Sequence, residues 1–101
     1  MPLFVAMSRF SVDDERSEEV RAAFLNRPHN VEHMNGFVRM DVLRDKSSPG
    51  AFTLLTFWTD EECFREWHGS DAFRASHQNM PPWLKAGLTS ADVSFMEYVT
   101  D

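Results

Sequence analysis

The sequence predicts an α+β domain, in which four antiparallel strands form one sheet and helices cover one of its faces. Three observations carry that expectation. Four stretches, residues 3–12, 37–44, 51–58 and 92–99, are rich in β-branched and aromatic residues. Helical spacing with capping residues fills the intervals after the first and third of them. The turn DKSSPG joins the second and third as a hairpin.

Each element has its own reason. In the first strand Phe4, Ala6, Ser8 and Phe10 share one face and Leu3, Val5, Met7 and Arg9 the other. Both faces are largely apolar, so both are expected to be covered, with Ser8 on a buried face between Ala6 and Phe10. Asp13 or Asp14 is expected to cap the first helix, with Glu15 in its first turn. Val20, Ala23, Phe24 and Arg27 then fall at i, i+3, i+4 and i+7 on one stripe, and Pro28 ends the helix. Residues 30–34 suggest a further helical turn stopped by Gly36. Thr59 and Glu62 spell a capping box for a helix that reaches Trp67. Gly69 breaks it, and Ser70-Asp71 opens another helix that ends near His77 or Asn79. Residues 80–90 read as an irregular flap, because Pro81-Pro82 cannot continue a helix and Gly87 interrupts again.

The resulting order, βα-ββ-αβ, is the split βαβ, ferredoxin-like plan. Such a sheet leaves one face without helices. Here that face carries Leu3, Val5 and Met7, which implies a partner, most simply an identical subunit packed sheet to sheet.

At 101 residues the chain is expected to be one domain, 1–101, with a modest core. A net charge of −6, with no basic run, argues against nucleic acid and anionic lipid as partners. The single cysteine, Cys63, allows no intrachain disulfide and reads as a small buried hydrophobe in a reducing, cytoplasmic setting. No apolar run approaches the ~20 residues of a membrane span, and the start MPLFVAMSRF lacks the pattern of a secretory leader.

Motif chemistry is sparse. No P-loop, GxGxxG, CxxC or GxSxG occurs. His29–His33 reads H-N-V-E-H, a literal match to the inverted zinc-protease signature, but barely two turns fit between Pro28 and Gly36. A solvated connector is the better reading. More informative is residues 57–77, FWTDEECFREWHGSDAFRASH, in which Phe64 and Trp67 share one helix face and Phe73 and His77 another. Spacing alone leaves Trp67 and His77 as core residues or as walls of a site, where a neutral imidazole on an apolar face suits an iron ligand. Arg27 either snorkels and satisfies the last carbonyls of its helix or points at an anionic group in a pocket.

Taken together, FVAMSRFSV, FLNRPHNVE, GFVRMDVLR, TLLTFW and FREWHGSDAFRASH resemble the antibiotic biosynthesis monooxygenase superfamily over residues 3–99. Within it the chain is most similar to haem-degrading monooxygenases, and its most specific feature is W-x(9)-H. The resemblance implies a homodimer of ferredoxin-like subunits, joined through their sheet faces into an α+β barrel, with one pocket per subunit. It implies a monooxygenase with haem as cofactor and substrate, Trp67 as a catalytic wall, His77 as the iron ligand, and Phe24 and Arg27 lining the haem. The family Asn on the first strand falls at Ser8, a shorter side chain whose hydroxyl can bond locally to backbone instead. Two other readings stay open: a cofactor-independent monooxygenase of a small phenolic or quinol-like substrate, and a non-enzymatic dimer that binds haem or another small aromatic ligand.

Overall fold

The computed structural model describes residues 3–27, 30–78 and 80–100. Its sheet contains β1 (Phe4–Ser11), β2 (Phe37–Arg44), β3 (Ala51–Trp58) and β4 (Asp92–Glu97), in the order β2-β3-β1-β4. All three pairings are antiparallel. This is the ferredoxin-like arrangement the element order predicts, with the helices α1 (Ser17–Leu25), α2 (Glu61–His68), α3 (Asp71–Gln78) and α4 (Pro82–Thr89). No helix among the described residues is long and apolar enough to cross a membrane.

Register decides which residues share a face. β1 pairs Phe4 with Trp58, Ala6 with Thr56, Ser8 with Leu54 and Phe10 with Phe52. These positions meet the helices. Phe10 and Phe52 pack with Val20 and Phe24 of α1 and Leu84 of α4. Trp58 packs with Cys63 and Trp67 of α2 and with Val31. Burial of these large apolar side chains is the main stabilising term, at roughly 1.5–3 kcal/mol each. The opposite face presents Val5, Met7, Leu55, Phe57, Leu43 and Met96. Val5 and Phe57 belong to neither core cluster. The Arg39 guanidinium lies 4.0 Å from the centre of the Phe57 ring, while Leu43 and Met96 stay exposed.

Three local expectations are corrected. Neither Asp13 nor Asp14 caps α1: a 3-10 turn, Asp14–Arg16, leads into it, and Asp14 Oδ1 accepts from the Gly50 N–H at 3.1 Å. That bond ties the β2–β3 turn to the start of the helix. It also explains Gly50, where a Cβ would stand 2.1 Å from the Val12 carbonyl oxygen. The cap of α2 is Asp60, not Thr59, and its Oδ1 accepts from the Cys63 N–H at 2.9 Å. Thr59 donates instead to Cys63 Sγ at 3.8 Å.

The third correction is the largest: residues 82–89 are a helix, not a flap. Pro-Pro stops an incoming helix, but a proline at the first helical position costs nothing, because that N–H has no intrahelical partner anyway. Pro82 occupies that position. Leu84 is fully buried, and Trp83 packs against the same cluster under the Arg16 guanidinium at 4.5 Å. Pro28 and Asn79, expected near the ends of helices, lie outside the described residues; α1 itself ends at Leu25.

Candidate active site

Over the helix face of the sheet, lined by residues of α1, α2, α3 and α4, lies a cavity of about 780 Å³. That is within the usual range for small-molecule and cofactor sites. β1 supplies Ala6 and Ser8 to its floor, α1 supplies Phe24, Arg27 follows just past the end of α1, and Trp67 and His77 come from α2 and α3. All five residues singled out from the sequence therefore meet in one cavity, although 69 positions separate Ser8 from His77 along the chain.

His77 is held in a defined way. Its Nδ1 lies 2.8 Å from the Phe73 carbonyl oxygen, one helical turn earlier. A carbonyl oxygen only accepts, so Nδ1 carries the proton and, in the neutral ring, Nε2 keeps the free lone pair. Metal-binding histidines are commonly oriented in this manner, with one ring nitrogen tethered to a backbone carbonyl and the other presented. The ring also lies 4.3 Å from the centre of Phe73. Phe73 in turn makes an edge contact with Trp67 at 5.4 Å. Trp67 is 7 % exposed, so it serves both the core and the cavity wall.

Arg27 takes the first of its two expected roles and also lines the cavity. Its Nη1 donates to the Phe24 carbonyl at 3.1 Å, closing the end of α1, and its Nη2 donates to Glu32 Oε1 at 2.8 Å. Its Nε is buried and has no hydrogen-bond partner among the described residues. In the cavity wall a guanidinium suits an anionic ligand group. Ser8 is half-buried, and its hydroxyl makes no hydrogen bond to another described residue, so the local backbone bond expected of it is not made. Its donor remains available to the cavity.

In the H-N-V-E-H stretch, His29 lies outside the described residues. His33 is exposed in a single 3-10 turn, and Glu32 is engaged by Arg27. No group of three or more His, Cys, Asp or Glu side chains among the described residues is placed to hold a metal ion.

Sequence reasoning passed over several lining residues. Met40, Val93 and Phe95 reach the cavity only because strand register places them on the helix face. Leu84 and Leu88 arrive with α4. His68 also lines the cavity, and its position four after Phe64 was the available signal.

A cavity walled by aromatics, with a tethered imidazole and an arginine on a ferredoxin-like sheet, is the architecture of a small-ligand-binding domain. The chain belongs to the antibiotic biosynthesis monooxygenase family, whose model matches residues 3–79. It is 27% identical to the heme oxygenase (mycobilin-producing) of Mycobacterium tuberculosis over 95 residues, 92% of this chain and 90% of that one. A structure of the heme-degrader MhuD from M. tuberculosis, with two hemes bound in its active site, superposes with a TM-score of 0.79 at 26% identity, covering 97% of each chain. SnoaB, a cofactor-independent oxygenase from Streptomyces nogalater, shares the fold with a TM-score of 0.64 at 18% identity, over 100% of this chain and 95% of that one.

Proposed function

We propose that the cavity binds haem, with His77 Nε2 as the iron ligand, and that the protein is a haem-degrading monooxygenase. The observation that carries this reading is the 2.8 Å tether from His77 Nδ1 to the Phe73 carbonyl, which leaves Nε2 as the presented nitrogen. The other residues fit the same ligand. Arg27 lines the cavity with a guanidinium, the side chain that pairs best with a propionate carboxylate. Phe24, Phe64, Trp67 and Phe73 give a flat macrocycle apolar walls and keep water away from its face.

Bound haem supplies both the iron that activates dioxygen and the porphyrin that is oxidised. The chain's own contribution is positional. His77 would hold the iron and Arg27 the propionate edge. Trp67, held by its edge contact with Phe73, would form one wall against the ring. The Ser8 hydroxyl is the polar donor on the strand side. It is shorter than the amide the family carries there, so slower turnover is expected than from a site with asparagine.

The exposed apolar residues Leu43 and Met96 on the helix-free face support a homodimer joined through that face. Sedimentation at micromolar concentration is expected to give a dimer, and a monomer would remove that part of the reading.

The function is tested by titrating purified protein with hemin. A saturable Soret shift is expected, weakened at least about tenfold by His77→Ala. Adding a reductant in air should then bleach the band. No shift would overturn the haem reading. It would favour the second reading, a cofactor-independent monooxygenase of a small phenolic or quinol-like substrate, which the same aromatic lining would suit. Binding without bleaching would identify a haem-binding protein without the activity.

A further inference from the structure

Four rings follow one another along the α2–α3 wall of the cavity. Phe64 lies 5.8 Å from His68, His68 lies 4.7 Å from Phe73, and Phe73 lies 4.3 Å from His77. The two histidines are thus separated by one phenyl ring on a continuous aromatic strip, and both line the cavity. They differ in depth: His68 is exposed and His77 half-buried. They differ also in freedom. His77 is tethered to the Phe73 carbonyl, whereas neither ring nitrogen of His68 has a hydrogen-bond partner among the described residues.

We propose that His68 is a capture ligand, an outer imidazole that takes the iron of an incoming haem before His77 takes it within the cavity. The inference rests on the haem reading of the site and adds a step to it. A flat ligand entering along the strip meets the exposed imidazole first, with Phe64 and Phe73 offering faces to stack on. Phe73 contacts both imidazoles, and in the proposed order they act in sequence. Transfer breaks one iron–imidazole bond and forms another, with no change in oxidation state and no net proton movement. Its position in the last turn of α2, where the helix dipole favours a cation, would account for a surface histidine. It does not require His68 to line a cavity or to extend a row of rings that ends at His77.

The test measures hemin binding to wild type, His68→Ala, His68→Gln, His77→Ala and the double variant His68→Ala/His77→Ala, with circular dichroism confirming that each is folded. In stopped-flow mixing, both His68 variants should slow association by about threefold or more while leaving the final Soret spectrum unchanged. His77→Ala should retain a weaker histidine-type spectrum, and the double variant should lose it. An unchanged association rate in both His68 variants, or identical spectra for His77→Ala and the double variant, would overturn the capture role and leave the haem reading intact. Failure of wild type to bind hemin would overturn both.

Discussion

Leu84→Ala tests whether the Pro-Pro segment is a structural helix that closes one flank of the cavity. Leu84 is fully buried and packs in the same cluster as Phe10, Val20, Phe24 and Phe52. Truncating a buried leucine to alanine costs about 2–5 kcal/mol, the loss growing with the void that remains. Leu84 also lines the existing cavity, so part of the vacated space merges with it. A loss of about 3 kcal/mol is therefore expected, against roughly 5–15 kcal/mol for a whole domain. At about 4–8 °C per kcal/mol for a domain of this size, the melting temperature should fall by about 10–25 °C. Urea unfolding followed by tryptophan fluorescence measures the loss directly, with protein concentration held constant. An irregular flap resting on the surface would lose no more than about 0.5 kcal/mol. A measured loss below about 1 kcal/mol would refute the packing of α4 against the sheet and the reasoning built on it.

Three further outcomes follow from particular residues. Gly36 has φ +80°, and a Cβ there would stand 2.4 Å from Cys63 Sγ and 2.7 Å from Thr59 Oγ1. Gly36→Ala should therefore destabilise by about 2 kcal/mol or more in urea, and a neutral result would contradict the close seating of α2 on this turn. The Asp60 carboxyl is held below the ordinary carboxylate range, first by the backbone N–H of Cys63 and then by the Cys63 side chain. A depressed folded value stabilises at pH above the ordinary carboxylate range, and this stability is lost as pH falls through the folded value. Asp60→Ala should lower the urea midpoint at neutral pH and flatten its acid-side decline, while Asp60→Asn keeps the cap and flattens only the decline; an unaltered acid limb in both would contradict the assignment. Ser8→Asn lengthens the strand-side donor, and hemin bleaching should speed up by about tenfold or more without tighter binding. A slower or equal rate would remove the donor role given to this position.

Cys63 illustrates how far a residue can be read before its neighbours are known. Its burial was legible from the flanking Phe64 and Trp67. Its electrostatics were not. The Thr59 hydroxyl donating to Sγ pulls the thiol's pKa down. Hydrogen bonding to Asp60, burial, and the charges of Asp60 and Glu66 together outweigh that and raise it. A thiol so held is a poor nucleophile, consistent with a packing role.

The sequence by itself determined the four strands, the hairpin and the Val20, Ala23 and Phe24 stripe of α1, because period-two and period-3.6 patterns are local and carry their own geometry. It did not determine that the helix ends before Arg27. It also placed Ser8, Phe24, Arg27, Trp67 and His77 as candidates, partly from spacing and partly from the family resemblance. Only the tertiary structure decided what those residues surround. The α2 cap moved from Thr59 to Asp60 because both residue types suit a cap, and backbone geometry at the turn selects one. Residues 82–89 became helix because burial of Leu84 outweighs the weak local signal of Pro-Pro and Gly87. The cavity itself was out of reach of local pattern. It exists where four helices and the register of the sheet leave space, and a volume enclosed by distant segments has no period in the sequence that encodes it.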